Sequence, residues 1–268
     1  MGTARRVPSR EQLLAQLVDA RLAGEVATPR ANSLSHMDLL AKGDPKYLLG
    51  LDLAGHWPTS RIAALMAKRL GTPPDGYPAG GGDWIDPELV ADALDRMALR
   101  LRRAVEDHHV VLVATGHPGG LLEMHQTLAA GLAAAGLTVT AAPRGLSASG
   151  GDVRQVGGVA VLHSGGSLLH THSPRWMQLV LAALAVEGQP RPDLVIADHG
   201  WAGAAGQSGI DTVCIADCND PALFVAEDMG TVEVTVPLED NAPYELYRPM
   251  TAYLLDAAGL PQPEADAD

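Results

Sequence analysis

The chain is poor in cysteine, with only Cys214 and Cys218 in 268 residues. Two cysteines four apart at the end of one apolar run offer no disulfide framework. The expectation is a reducing, cytoplasmic setting. Lysine is almost as scarce, and Lys42, Lys46 and Lys68 are all there is. Nineteen basic residues stand against 32 acidic ones, a formal net charge of -13. Such a surface repels phosphate backbones and anionic lipid, so neither nucleic acid nor a membrane is an expected partner. No apolar run reaches the length that spans a bilayer. No apolar stretch follows Arg5 and Arg6, so no signal peptide is expected.

Several chemistries are excluded by missing motifs. The Gly-rich turns match neither the nucleotide P-loop nor the dinucleotide fingerprint. There is no Gly-x-Ser-x-Gly elbow, no Cys-x5-Arg loop, and no Asp-x-Asp pattern at Asp217. Asp107-His108-His109 precedes an apolar run and reads as a helix-to-strand turn. Glu123 and His125 lie two apart in a helical stretch and so face different sides.

What is present is a core-forming composition, 47% hydrophobic. Residues 1–107 read as a helical region. Ser9 and Gln12 form a capping-box pair, followed by Leu13, Leu14, Leu17, Val18 and Leu22 at helical spacing. A polar stretch over 32–44 carries His36 and Lys42. A second helix is predicted over 60–70, then a Gly- and Pro-rich loop over 71–82. Asp86-Pro87 opens a helix that runs to about Glu106.

From residue 108 the pattern changes. Short apolar runs at 110–114, 137–141, 159–162, 194–197, 213–216 and 232–236 alternate with helical stretches. This predicts an α/β domain over 108–260, a doubly wound, mostly parallel, Rossmann-like sheet. The Gly-rich segment 145–158 reads as a flexible loop or lid. The acidic, Pro-rich residues 261–268 read as a disordered tail.

Ligands of open parallel sheets bind beyond the carboxyl ends of the strands. The first run is followed by TGHPGG, the third by HSGGS and then HTHS, the fourth by DHGWAG and the fifth by DCND. Imidazole and carboxylate together suit a divalent metal, and histidine also titrates near neutrality. His170, His172, Asp198, Asp217 and Asp220 are the candidate metal ligands. His117, His163, Asp198, His199 and Asp217 are the candidate catalytic groups. Gly119, Gly120, Gly165 and Gly166 are read as anion-binding strand-to-helix turns, with Asn219 orienting substrate. Plainer readings stand beside these: His117 shaping a Pro-Gly turn, and Asp220 capping the helix that opens at Pro221.

The segments ATGHPGGLLEMH, HTHSP, ADHGWAGAAGQ and IADCNDPALFVAED resemble a family of actinobacterial proteins labelled "phosphatase". The resemblance extends over most of the chain, including SLSHMDLLAKGDPKYLLG. It implies phosphomonoesterase activity, without an assigned catalytic set to carry over. Joined to the residue chemistry, it predicts hydrolysis of a small phosphorylated metabolite assisted by a divalent metal. The rival readings are a sugar-phosphate isomerase or transferase and a non-catalytic metabolite-binding protein. Trp84-Ile85 and the segment from Tyr244 to Tyr253 are read as a surface for a homodimer or as core.

Overall fold

Ser9 and Gln12 exchange hydrogen bonds between side chain and backbone, and this capping box opens α1 (Arg10–Asp19). A computed structural model describes residues 7–72 and 80–262. Most of the predicted 71–82 loop, and residues 263–268 of the predicted tail, lie outside the described residues.

The first part of the chain departs from a purely helical reading. Strand β1 (Gly24–Pro29) pairs antiparallel with β2 (Gly82–Ile85). Its residues alternate buried and exposed, the pattern of a half-covered ribbon. Between them lie α2 (Arg30–Ala41), which takes up most of the polar stretch, and α3 (Thr59–Leu70). Asp86 caps α4 (Pro87–Glu106) by accepting from Glu88 N, with Pro87 in the first turn. Ile85 is buried in the core.

The six apolar runs all become strands. They are β3 (Val110–Thr115), β4 (Thr138–Thr140), β7 (Val159–Ser164), β9 (Leu194–Asp198), β10 (Asp211–Ala216) and β11 (Val234–Pro237). All pair parallel with one another, in the order β11-β10-β9-β3, with β4 and β7 on the far edge of β3. β4 takes the first half of that edge and β7 the second. Helices α5 (Pro118–Ala134), α6 (Arg175–Val186), α7 (His199–Gln207) and α8 (Pro221–Asp228) connect them. A 3-10 turn (Tyr244–Tyr247) leads into α9 (Arg248–Ala258). The result is a mixed α/β fold with a mostly parallel central sheet. Among the described residues no helix is long and apolar enough to cross a membrane.

The 145–158 segment is not an open loop. It folds as β5 (Ser147–Ala148) and β6 (Gly151–Val156), and β8 (Ser167–Leu168) adds a further short strand. All three pair antiparallel, β6 and β8 with β7, and β5 with β6. Gly157 and Gly158, at φ 56° and 84°, make the two-residue turn between β6 and β7. Of the glycines that resemble a linker in the sequence, Gly150, Gly157 and Gly158 lie in hairpin turns. One continuous buried cluster runs from Leu13 to Leu260 and draws on both halves of the chain.

Candidate active site

Four neighbouring parallel strands deliver their following residues to one edge of the sheet. β3 is followed by His117, β10 by Asp217 and Asp220, and β11 by Glu239 and Asp240, while β9 ends at Asp198 and is followed by His199. The segment with His170 and His172 is tied over this edge by Thr171 N, which donates to Gly116 O at 2.8 Å. Close packing requires glycine here. A Cβ at Gly116 would stand 2.4 Å from Thr171 O, and one at Gly200 would stand 2.2 Å from His172 O.

His199 is the centre of the arrangement. It enters α7 with φ +46°, a left-handed conformation costly for a residue with a side chain. Its Nδ1 lies 3.1 Å from Asp198 Oδ1, and its Nε2 lies 3.1 Å from Asp220 Oδ2 and 3.3 Å from Asp240 Oδ2. Asp198 is fully buried and saturated. It accepts from Thr115 Oγ1 at 2.5 Å and Gly116 N at 2.6 Å. Burial alone would raise its pKa, but the hydrogen bond and charge of His199 hold it down to about 2.

Three further imidazoles pack around His199. His117 and His170 stack at 4.3 Å between ring centroids, and His172 sits 4.3 Å from His199. Burial, aided by His199, lowers His172 to about 4 and moves His170 down as well. His117 is also desolvated, yet Asp240, 3.2 Å from its Nδ1, more than offsets this and raises it. Burial likewise disfavours a charged His199, but Asp220 and Asp198 raise it well above the usual histidine value. Asp220 falls below the ordinary carboxylate range because His199 outweighs the cost of its burial.

On the other flank Asp217, Glu239 and Asp240 come together. Thr28, at the end of β1, donates its N–H to Glu239 Oε2 at 2.8 Å and its hydroxyl to Asp217 Oδ2 at 2.6 Å. Burial, then the neighbouring Asp240 and Glu239, push Asp217 well above the carboxylate range. A cavity of about 330 Å³ opens over these groups, walled on its far side by Asn32, His36, Lys46 and Tyr47.

In each of three sets the ligand-competent atoms lie within 4.8 Å of one another: His117/His170/His199, His172/His199/Asp220, and Asp217/Glu239/Asp240. Four atoms among them, His117 Nδ1, His172 Nδ1, Asp220 Oδ2 and Asp240 Oδ2, are buried without a hydrogen-bond partner. The contacts of His117 Nδ1, Asp220 Oδ2 and Asp240 Oδ2 are at ion-pair distance but are not aligned as hydrogen bonds. Such a convergence of imidazole and carboxylate lone pairs fits a divalent cation.

The predicted residues are therefore largely brought together: His117, His170, His172, Asp198, His199, Asp217 and Asp220, with Asn219 lining the cavity. Gly119 lies in the open first turn of α5, and Gly120 packs on Asp240 O. Gly165 and Gly166 do not open a helix. Both have positive φ and form the β7–β8 hairpin turn, because β8 folds straight back on β7. His163 is not in the cluster and bonds Asp152 at 2.9 Å on the β6–β7 hairpin. Residues not anticipated are Glu239, Asp240, Thr28 and His125. His125, despite its helical setting, is fully buried with Nε2 3.9 Å from Asp198 Oδ2.

A family model described as "Phosphatase" matches residues 8–262. The chain belongs to that family, and membership supports an enzyme of the hydrolase class. A curated relative, Phosphatase SCO2771 from the actinobacterium Streptomyces coelicolor, is 52% identical over 255 residues, covering 94% of this chain and 97% of its own.

Proposed function

We propose that the chain hydrolyses the phosphomonoester of a small phosphorylated metabolite, with a divalent metal held at the histidine–aspartate cluster. The observation that carries this reading is the set of four buried, unpartnered ligand atoms on His117, His172, Asp220 and Asp240. Buried polar atoms left unpaired are costly, and a cation satisfies imidazole and carboxylate at once. The cavity volume, about 330 Å³, suits a small molecule.

In this reading His117, His170, His172, His199 and Asp220 hold the ion, with Asp217 and Asp240 beside it. When bound, a divalent ion neutralises phosphate charge and lowers the pKa of water. Asp198 is a positioning residue. It accepts a hydrogen bond from His199 Nδ1–H and so turns the Nε2 lone pair inward. The Gly119 N–H, in the first turn of α5, donates to a phosphate oxygen. Asn219 orients the substrate from the opposite wall.

His36 is the histidine of the cavity that belongs to none of the ligand sets. Its Nδ1 faces Asn219 O at 2.7 Å, which places a proton there and leaves Nε2 free. Only the form that carries a second proton, on Nε2, acts as the acid, and it delivers that proton to the leaving oxygen. The sheet itself is read as doubly wound and Rossmann-like. The chain leaves β3 toward β4 and β7, then returns on the other side at β9, and ligands bind at such a switch point. From the first region, read as 1–107, Thr28, Asn32, His36, Lys46 and Tyr47 line the cavity, and the 108–260 domain carries the metal-binding groups. The two buried free thiols accord with a reducing cytoplasm.

The test is phosphate release from a panel of phosphomonoesters, with and without chelator. Release that stops on chelation and returns with added Mn²⁺ is expected. Release that survives complete metal removal would overturn the metal's role, and none across the panel, with metal present, would overturn hydrolysis.

A further inference from the structure

We infer that the centre holds two divalent ions in chemically different sites, with the Asp240 carboxylate shared between them. The inference rests on the metal reading above and adds a number and a geometry to it.

Charge gives the first argument. Asp198, Asp217, Asp220, Glu239 and Asp240 are each at most 4% exposed. Among the described residues, none pairs with lysine or arginine; the cations that meet Asp198, Asp220 and Asp240 are histidines. Histidines acting as ligands are neutral and cannot supply this charge. Ionised as metal ligands and their neighbours are, these five carboxylates would be poorly met by one divalent ion and nearly balanced by two. The cavity's lysine, Lys46, is exposed and lies over the Tyr47 ring instead.

Ligand identity gives the second. The set Asp217/Glu239/Asp240 shares no residue with either imidazole set. The two imidazole sets share His199, whose Nε2 has one lone pair and serves one ion. Asp240 joins the two flanks. Its Oδ1 is 3.2 Å from His117 Nδ1, and its Oδ2 is 3.3 Å from His199 Nε2. His117 is 8% exposed, and its Nδ1, without a hydrogen-bond partner, is aimed at Asp240. That atom is the observation, independent of the acidic cluster, that points to a bound cation. The flanks differ in chemistry. The imidazole-rich flank suits zinc, iron or manganese, and the all-carboxylate flank suits magnesium or manganese. Thr28 holds Asp217 and Glu239 in place, as an outer partner of metal ligands does. Paired ions about 4 Å apart suit in-line displacement at phosphorus.

The test uses the full chain stripped of metal and dialysed to saturation against Mn²⁺ alone. Bound metal is then counted by mass spectrometry and the spin state followed by electron paramagnetic resonance. Two ions per chain with a spin-coupled spectrum are expected. Asp217→Asn with Glu239→Gln, and separately His170→Ala with His172→Ala, are each expected to bind one ion with an uncoupled spectrum. Should either double variant fail to fold, the wild-type count and coupling still decide. One ion in the wild type would overturn the inference and leave the metal reading standing. No ion would overturn both. Two ions without coupling would overturn the shared Asp240.

Discussion

Gly200→Ala places the account under its sharpest steric test. Gly200 is the second residue of α7 and has no left-handed backbone to protect. Helix propensity alone predicts that alanine stabilises this position by about 1 kcal/mol. The surroundings predict the opposite. The new Cβ would lie 2.2 Å from His172 O, 2.6 Å from Ser173 C and 2.7 Å from Pro174 N, where ordinary contact begins at 3.4 Å. All three atoms are backbone, so no side chain can swing aside. The segment must retreat by about 1 Å, and overpacking of this kind costs about 1–3 kcal/mol. Steric cost outweighs propensity, and a net loss of about 1 kcal/mol corresponds to a few degrees in Tm. The functional loss is larger, because the displaced segment carries His170 and His172. Misplacing a reacting group by 1 Å costs about 100-fold in rate. Thermal melts, Mn²⁺ content and phosphate release are the assays. Gly119→Ala is the control for the melts alone, since nothing lies within 4 Å of a Cβ there while its N–H is assigned to the phosphate. A Gly200→Ala protein that melts higher than wild type and keeps its metal and turnover would refute the packing argument.

Three other outcomes follow from the geometry. In metal-free protein the His172 pKa falls from 6.5 to about 4 on folding, chiefly by burial. Between those values the unfolded chain binds a proton that the folded chain does not, so this group's contribution weakens as pH drops through that window. His172→Gln should therefore gain on wild type between pH 7 and pH 4 in urea melts, by up to about 3 kcal/mol; a gap independent of pH would contradict this. His36→Gln should lose about 100-fold on an alkyl phosphate and far less on 4-nitrophenyl phosphate, whose leaving group needs no proton. Equal losses on both would remove His36 from proton transfer. His163→Ala should keep metal content and turnover within about twofold of wild type, as for a residue outside the site. A loss comparable to that at His199 would return His163 to the chemistry.

The second half of the chain was readable because its strands are buried on both faces. VVLVAT, LVIAD and DTVCIA carry the signal of a parallel core without needing a partner in view. The ribbon of β1 and β2 was not readable in the same way. GEVATP and GDWI are short, glycine-led and half exposed, and their pairing joins residues about sixty apart. α2 was hidden for a related reason, as its sequence is polar and its N-terminus has no side-chain cap. The strand-end rule pointed to His117, Asp198, His199, Asp217 and Asp220, which the fold gathers at one sheet edge. Glu239 and Asp240 answer to the same rule, since they follow VTVPL directly, and reading past the sixth apolar run would have reached them. Thr28 and His125 had no comparable signal. One reaches the site by β1 crossing to the sheet edge, and the other by a helix packing over β3, neither of which is a local property of the chain. His163 shows the converse. It follows an apolar run as the others do, but its strand continues into a hairpin that carries it away.

The central claim is that the His/Asp cluster holds a catalytic divalent cation. It is tested most directly by anomalous X-ray diffraction from crystals of the wild-type protein grown with Mn²⁺. The account predicts anomalous density within bonding distance of His199 Nε2 and of an Asp240 oxygen, at about 2.0–2.3 Å. A Mn²⁺-saturated crystal with no density there, or with density only on surface carboxylates, would contradict it.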